Sequence, residues 1–105
     1  MYKDKVADFL PAANAELVKI PSSIYQKGFG TVTVTNTNTT TEVVDMTIVR
    51  ANGAVEYLLG PAKNMTAKEI IDDIAVNDRL YAGDAVWGCT TTASKVAYRI
   101  QFVEV

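Results

Sequence analysis

The sequence predicts an all-β domain, an antiparallel sandwich or barrel. Three observations carry that expectation. Short runs of alternating apolar and polar residues recur along the chain. Turn chemistry separates them about every 8–12 residues, the spacing of sandwich and barrel strands. Threonine, a β-branched strand former, occurs twelve times, with seven between Thr31 and Thr41.

Taken in order, residues 16–20 make a short strand closed by Pro21. Residues 30–35 alternate strictly, Val32 and Val34 on one face and Thr31, Thr33 and Thr35 on the other. Residues 36–42 are polar, have nothing to bury, and read as a hairpin loop. A second alternating strand follows over 43–50, with Val44, Met46 and Ile48 on its apolar face. Asn52-Gly53 is a strong two-residue hairpin signal. Residues 55–59 form a strand that Gly60-Pro61 should stop.

Residues 64–76 are ambiguous. Thr66 and Glu69 fit a capping box, and Ile70, Ile71 and Ile74 make a helical stripe. The same stretch also fits a strand, a turn and a second short strand. Beyond it, Ala82-Gly83-Asp84 is a tight turn into a strand over 84–90. There the alternation of Ala85, Trp87 and Cys89 predicts a buried, inert thiol packed near the indole. Residues 90–94 are a polar loop. The strand from Lys95 onward places Val96, Tyr98, Ile100 and Phe102 on one face.

The chain has 105 residues, enough for one domain and not much more. One cysteine allows no internal disulfide, and the absence of histidine removes most acid–base catalysis and the commonest transition-metal ligand. Ten basic and twelve acidic residues give a net charge of −2 with no basic run, so no nucleic-acid footprint is expected. Asp4 and Asp8 interrupt the N-terminus, which does not read as a secretory signal, and no stretch has the length of a membrane span. Asn38 and Asn64 sit in N-x-Thr sequons that read as accidents of a Thr-rich composition.

No motif points to catalysis. Asp72, Asp73, Asn77 and Asp78 lack the calcium-loop spacing and read as a solvated turn. Ser22, Ser23, Ser94 and Cys89 have no histidine to activate them, and Gly28-Phe29-Gly30 is no phosphate loop. The expectation is a protein that is not an enzyme and carries no cofactor and no metal.

Residues 10–21, a Pro-Ala-rich entry into a strand ending Ile20-Pro21, are followed by a long alternating strand and a Thr/Asn loop over 31–41. Later, residues 80–84 read Leu-Tyr-Ala-Gly-Asp, and the last strand ends on Phe102-Val103-Glu104. From Leu10 to Val105 this order resembles small virion proteins of tailed bacteriophages. It departs from them after Pro21, where the segment carrying Ile24, Tyr25 and Phe29 is longer. The resemblance implies a strand rather than a helix over 66–76. It also implies a structural role in a virion, made in the host cytoplasm.

The expectation is therefore an antiparallel β-sandwich, jelly-roll-like, of about seven to eight strands over residues 13–105, with an N-terminal arm over 1–12. The 80–84 turn has a structural reading of its own: Leu80 anchors it, Gly83 supplies the backbone conformation, and Asp84 binds backbone amides. Tyr2, Phe9, Tyr25 and Phe29 lie outside the clearest strands and are the interface candidates. The partners expected are virion proteins (major capsid, neck or tail subunits) and further copies in a homo-oligomer, a trimer among the options. A decoration (cement) or head–tail accessory role comes first. A carbohydrate- or receptor-binding module of a tail tip or fibre is the alternative, with the flat loop at 36–41 as its contact.

Overall fold

A computed structural model describes residues 5–21, 26–72, 74 and 79–103, with the backbone alone for 26–31 and 103. Nine strands lie among them: β1 (Lys5–Phe9), β2 (Ala15–Lys19), β3 (Gln26–Asn36), β4 (Glu42–Val49), β5 (Val55–Met65), β6 (Ile70–Ile71), β7 (Arg79–Tyr81), β8 (Ala85–Thr90) and β9 (Val96–Val103). Two antiparallel sheets result. A five-stranded one has the order β1-β9-β3-β6, with β7 also on β3, and a four-stranded one has the order β2-β8-β4-β5.

The pairing is nested. The first strand pairs with the last, β2 with β8, β3 with β6 and β7, and β4 with β5. Folded into two facing sheets, that nesting is a jelly roll. β6 and β7 share one edge position, since β6 meets β3 at Val34 and Thr35 while β7 meets it at Gln26, Lys27 and Gly28. The strand number exceeds the expected seven to eight because this edge strand is split in two.

The core follows from period-two alternation. Val32, Val34, Val96, Tyr98, Ile100 and Phe102 come from the larger sheet and Val44, Met46, Ile48 and Val86 from the smaller, and all are buried in one cluster. Each fully buried aliphatic side chain contributes about 1.5–3 kcal/mol.

Several expectations need correction. Within the stretch expected as an arm, Lys5–Phe9 is an edge strand running from Lys5 opposite Gln101 to Phe9 opposite Ala97, and Leu10 is buried. The open edge of β9 offers it a complete ladder. Gly60-Pro61 does not end β5, which stays paired with β4 as far as Met65 through two register shifts. An edge strand can absorb a proline because its outer N–H is not needed. Gly60 has φ 119°, and a Cβ there would lie 2.6 Å from the Asp45 carboxylate. That oxygen also accepts the Ala62 amide at 2.6 Å.

The hairpin at Asn52-Gly53 is one residue longer than a two-residue turn. Gly53 N–H donates to Arg50 O (2.9 Å) and Arg50 N–H to Ala54 O (2.8 Å). Positive φ occurs at Gly53 and not at Asn52, so this is a three-residue connection with a glycine bulge.

In β8 Val86, Gly88 and Thr90 are buried on the inner face and Ala85 is buried as well, while Trp87 and Cys89 are half-buried on the outer face. The thiol is thus not a core group, although partial burial and nearby Asp45 raise its pKa.

Among the described residues, the ambiguous segment is strand at Asn64 and Met65, the end of β5, and at Ile70 and Ile71. The capping box still closes locally, with the Thr66 amide donating to Glu69 Oε1 at 2.9 Å. No helix follows in the described residues. Glu69 O accepts the Asn36 amide (2.9 Å), and the chain joins the open edge of β3 instead.

Candidate functional site

The turn between β7 and β8 is built around Asp84, which is buried although charged. Its Oδ2 accepts the Tyr81 amide (2.9 Å) and an Arg50 guanidinium N–H (2.9 Å), and its Oδ1 accepts the Ala51 amide (2.9 Å). Gly83, at φ 87°, turns its N–H to Ile20 O (3.0 Å), a conformation a side chain would strain. Leu80 is fully buried beneath. Arg50 also grips Glu56 through two N–H···O bonds (2.6 and 3.1 Å) and donates to Arg79 O (2.6 Å). One carboxylate therefore ties the β4–β5 hairpin to the β7–β8 turn, and the backbone of Gly83 and Asp84 joins that turn to the end of β2.

Burial opposes ionisation of Asp84. The two amides and Arg50 outweigh it and hold the carboxyl below its ordinary range. The Glu56 contact is the main cause that raises Arg50.

A second buried polar cluster, at the opposite end, escaped the sequence reading. Asn36 is fully buried, and its Nδ2 donates to Thr40 O, Met65 O and Thr66 O, each at 3.0 Å. Glu42 is equally buried. Its carboxylate accepts the Thr92 amide (2.8 Å), Thr90 Oγ1 (3.2 Å) and Asn38 Nδ2 (3.0 Å). Burial would raise this carboxyl, but these donors lower it. A signal was present: Asn36 continues the inward phase of Val32 and Val34, and Glu42 that of Val44 and Met46. The 36–41 loop thus turns both asparagine amides onto the protein itself.

The outer face of the larger sheet carries exposed apolar side chains. Across the larger sheet one row runs Phe9, Ala97, Thr35, Ile70 in register. Phe9 is 46% and Ile70 59% exposed, and between them the floor is made of small side chains. The result is an open groove lined by Ala7, Phe9, Thr33, Thr35, Ala97 and Arg99. Thr33 also donates to Asp72 Oδ1 at 3.0 Å.

Of the interface candidates, Phe9 is therefore a wall of this groove and sits inside β1. Phe29 sits within β3, opposite Phe102, and its side chain lies outside the described residues. Tyr2 and Tyr25 also lie outside them, as do Asp73, Asn77 and Asp78. Among the described residues no three histidine, cysteine or acidic side chains gather as metal ligands, and no helix is long and apolar enough to cross a membrane.

No protein-family model matches the sequence, and no curated protein matches it. Among solved structures, one titled "Structure of infectious bursal disease virus Gx strain" superposes with a TM-score of 0.47 and 11% identity over 95% of this chain. The chain spans 30% of the length of that one.

Proposed function

We propose that this protein is a structural component of a tailed-phage virion, a capsid decoration (cement) or head–tail accessory protein that binds and stabilises neighbouring subunits. It acts in the virion, as a homo-oligomer, with capsid, neck or tail proteins as partners. The observation that carries the reading is the outer face of the five-stranded sheet, where Phe9 and Ile70 stand over a floor of Ala97 and Thr35. A small side chain row between two protruding apolar ones is a receptive surface for another subunit. The sequence order shared with tailed-phage virion proteins supports the assignment to that class.

The mechanism is binding. Apolar area buried at each joint contributes about 25 cal/mol per Å², and repetition over many joints multiplies a modest contact. The buried polar groups do structural work at the two ends, which leaves the sheet face for recognition.

Co-sedimentation with purified particles lacking the protein tests this. Wild type should bind saturably. The double variant Phe9→Ala, Ile70→Ser should bind at least about tenfold more weakly, a loss of about 1.4 kcal/mol. Equal binding by both, or none by wild type, overturns the proposal.

A further inference from the structure

β5 is the outer strand of the four-stranded sheet, and among the described residues it pairs with β4 alone. We infer that its first residues, 55–57, pair antiparallel with the same residues of a second copy about a two-fold axis at Glu56. Two four-stranded sheets then join into one of eight. This goes beyond the virion reading, which rests on the other sheet.

The hydrogen-bond phase of the hairpin sets the geometry. Arg50 and Ala54 form its closing bonded pair. In an antiparallel ladder bonded and non-bonded pairs alternate. Val49–Val55 and Thr47–Tyr57 are therefore non-bonded pairs, and Ile48–Glu56 is bonded. The backbone groups of Glu56 point at β4, whereas those of Val55 and Tyr57 point away to the open side. A two-fold axis at Glu56 sets Val55 opposite Tyr57 of the copy, and Tyr57 opposite its Val55. Each pair then exchanges N–H···O bonds in both directions, about four bonds in all.

The side chains agree with that register. Val55 and Tyr57, two apart on one face, are 56% and 55% exposed. Across the axis they make two aromatic–β-branched pairs, a favoured cross-strand combination.

Edges are ordinarily guarded by charge. The outer strand at the other side of this sheet, β2, carries exposed Glu16 and Lys19 and a register shift. In residues 55–59 the one charge is Glu56, and Arg50 of the same chain already pairs with it at 2.6 Å. Glu56 is thus a neutralised guard. Beyond it, the turn of the backbone at Gly60-Pro61-Ala62 ends the pairable stretch. A short, self-matched edge closes as a dimer rather than propagating.

Light scattering over a concentration series, combined with amide hydrogen exchange, tests the inference. Wild type should approach twice the 11.4 kDa chain mass as concentration rises. The Val55 and Tyr57 amides should then exchange at least roughly tenfold more slowly than in dilute protein. Tyr57→Pro removes an N–H that β4 does not use and should return the chain to monomer. Val55→Lys keeps the backbone intact and should do the same, so a folding defect in the proline variant leaves the result decided. Phe9→Ala, Ile70→Ser should dimerise like wild type, which separates this contact from particle binding. A wild type that stays monomeric at millimolar concentration overturns the inference. So does a dimer whose Val55 and Tyr57 amides exchange at the dilute rate, or one unaffected by Val55→Lys.

Discussion

The two ends of the sandwich each bury a carboxylate, and they hold it in different ways. Asp84 has a cation: Arg50 lies 2.9 Å away, beside two backbone amides. Among the described residues Glu42 is held by neutral donors, among them the Thr92 amide, the Thr90 hydroxyl and the Asn38 amide. Both carboxyls are nonetheless lowered against the pull of burial. Well-aimed hydrogen bonds stabilise a buried charge as surely as a counter-ion does. The two devices differ in what their loss leaves behind.

Removing Asp84 leaves a partly buried guanidinium and two backbone amides without their acceptor. Asp84→Ala should therefore produce the largest effect, about 3–5 kcal/mol, read as a lower urea midpoint. Glu42→Gln keeps the shape and one acceptor but turns an NH₂ toward other donors. It should cost less, about 1–3 kcal/mol, in the same measurement. If the two losses came out equal, the contrast between cation and neutral donors would fail.

Acid sharpens the comparison. Both groups have folded-state values below their ordinary ones, 4.5 for Glu42 and 3.8 for Asp84. The unfolded chain then binds protons more readily, so their contribution is complete above these ordinary values and is lost as pH falls through them and on through the folded values. Thermal midpoints should hold steady near neutrality and drop below about pH 4.5, and Glu42→Gln should flatten the upper part of that drop. An unchanged profile in that variant would remove Glu42 from the acid limb and leave it to Asp84 and to Glu56, whose carboxyl Arg50 holds low.

The smallest effect belongs to Glu56. Its side chain is half exposed although it touches Arg50 at 2.6 Å. Solvent screens such a pair, and Glu56→Gln should cost only about 0.2–1 kcal/mol. High salt should erase most of that difference and leave the Glu42 effect standing. Parallel urea titrations with and without about 1 M salt, where surface charges are largely screened, read both.

Much of the architecture was legible along the chain. The alternation through Val32, Val34, Val44, Met46, Ile48, Val96, Tyr98 and Ile100 marks the inner faces without ambiguity, because period two leaves no other way to bury them. The 80–84 turn was legible too, since glycine followed by an acid leaves few backbone choices. The role of Phe9 was not. An aromatic residue in a short, charged N-terminal stretch looks like part of an arm until β9 is seen to present an open edge beside it. β8 misled in a different way: Ala85, Trp87 and Cys89 outweigh Val86, Gly88 and Thr90 in apolar bulk, yet the second set faces inward. The phase of a central strand is set by its neighbours, here β2 and β4, and not by its own hydrophobicity.

By itself the sequence determined the class of fold, the faces of β3, β4 and β9 and the turn at Asp84, all consequences of local geometry and of side-chain period. Tertiary structure alone decided the nesting of the strands, the pairing of Arg50 with both Asp84 and Glu56, and the row from Phe9 to Ile70. Those depend on residues far apart in the chain becoming neighbours. A linear pattern states what must be buried, and only the closed sheets state against what.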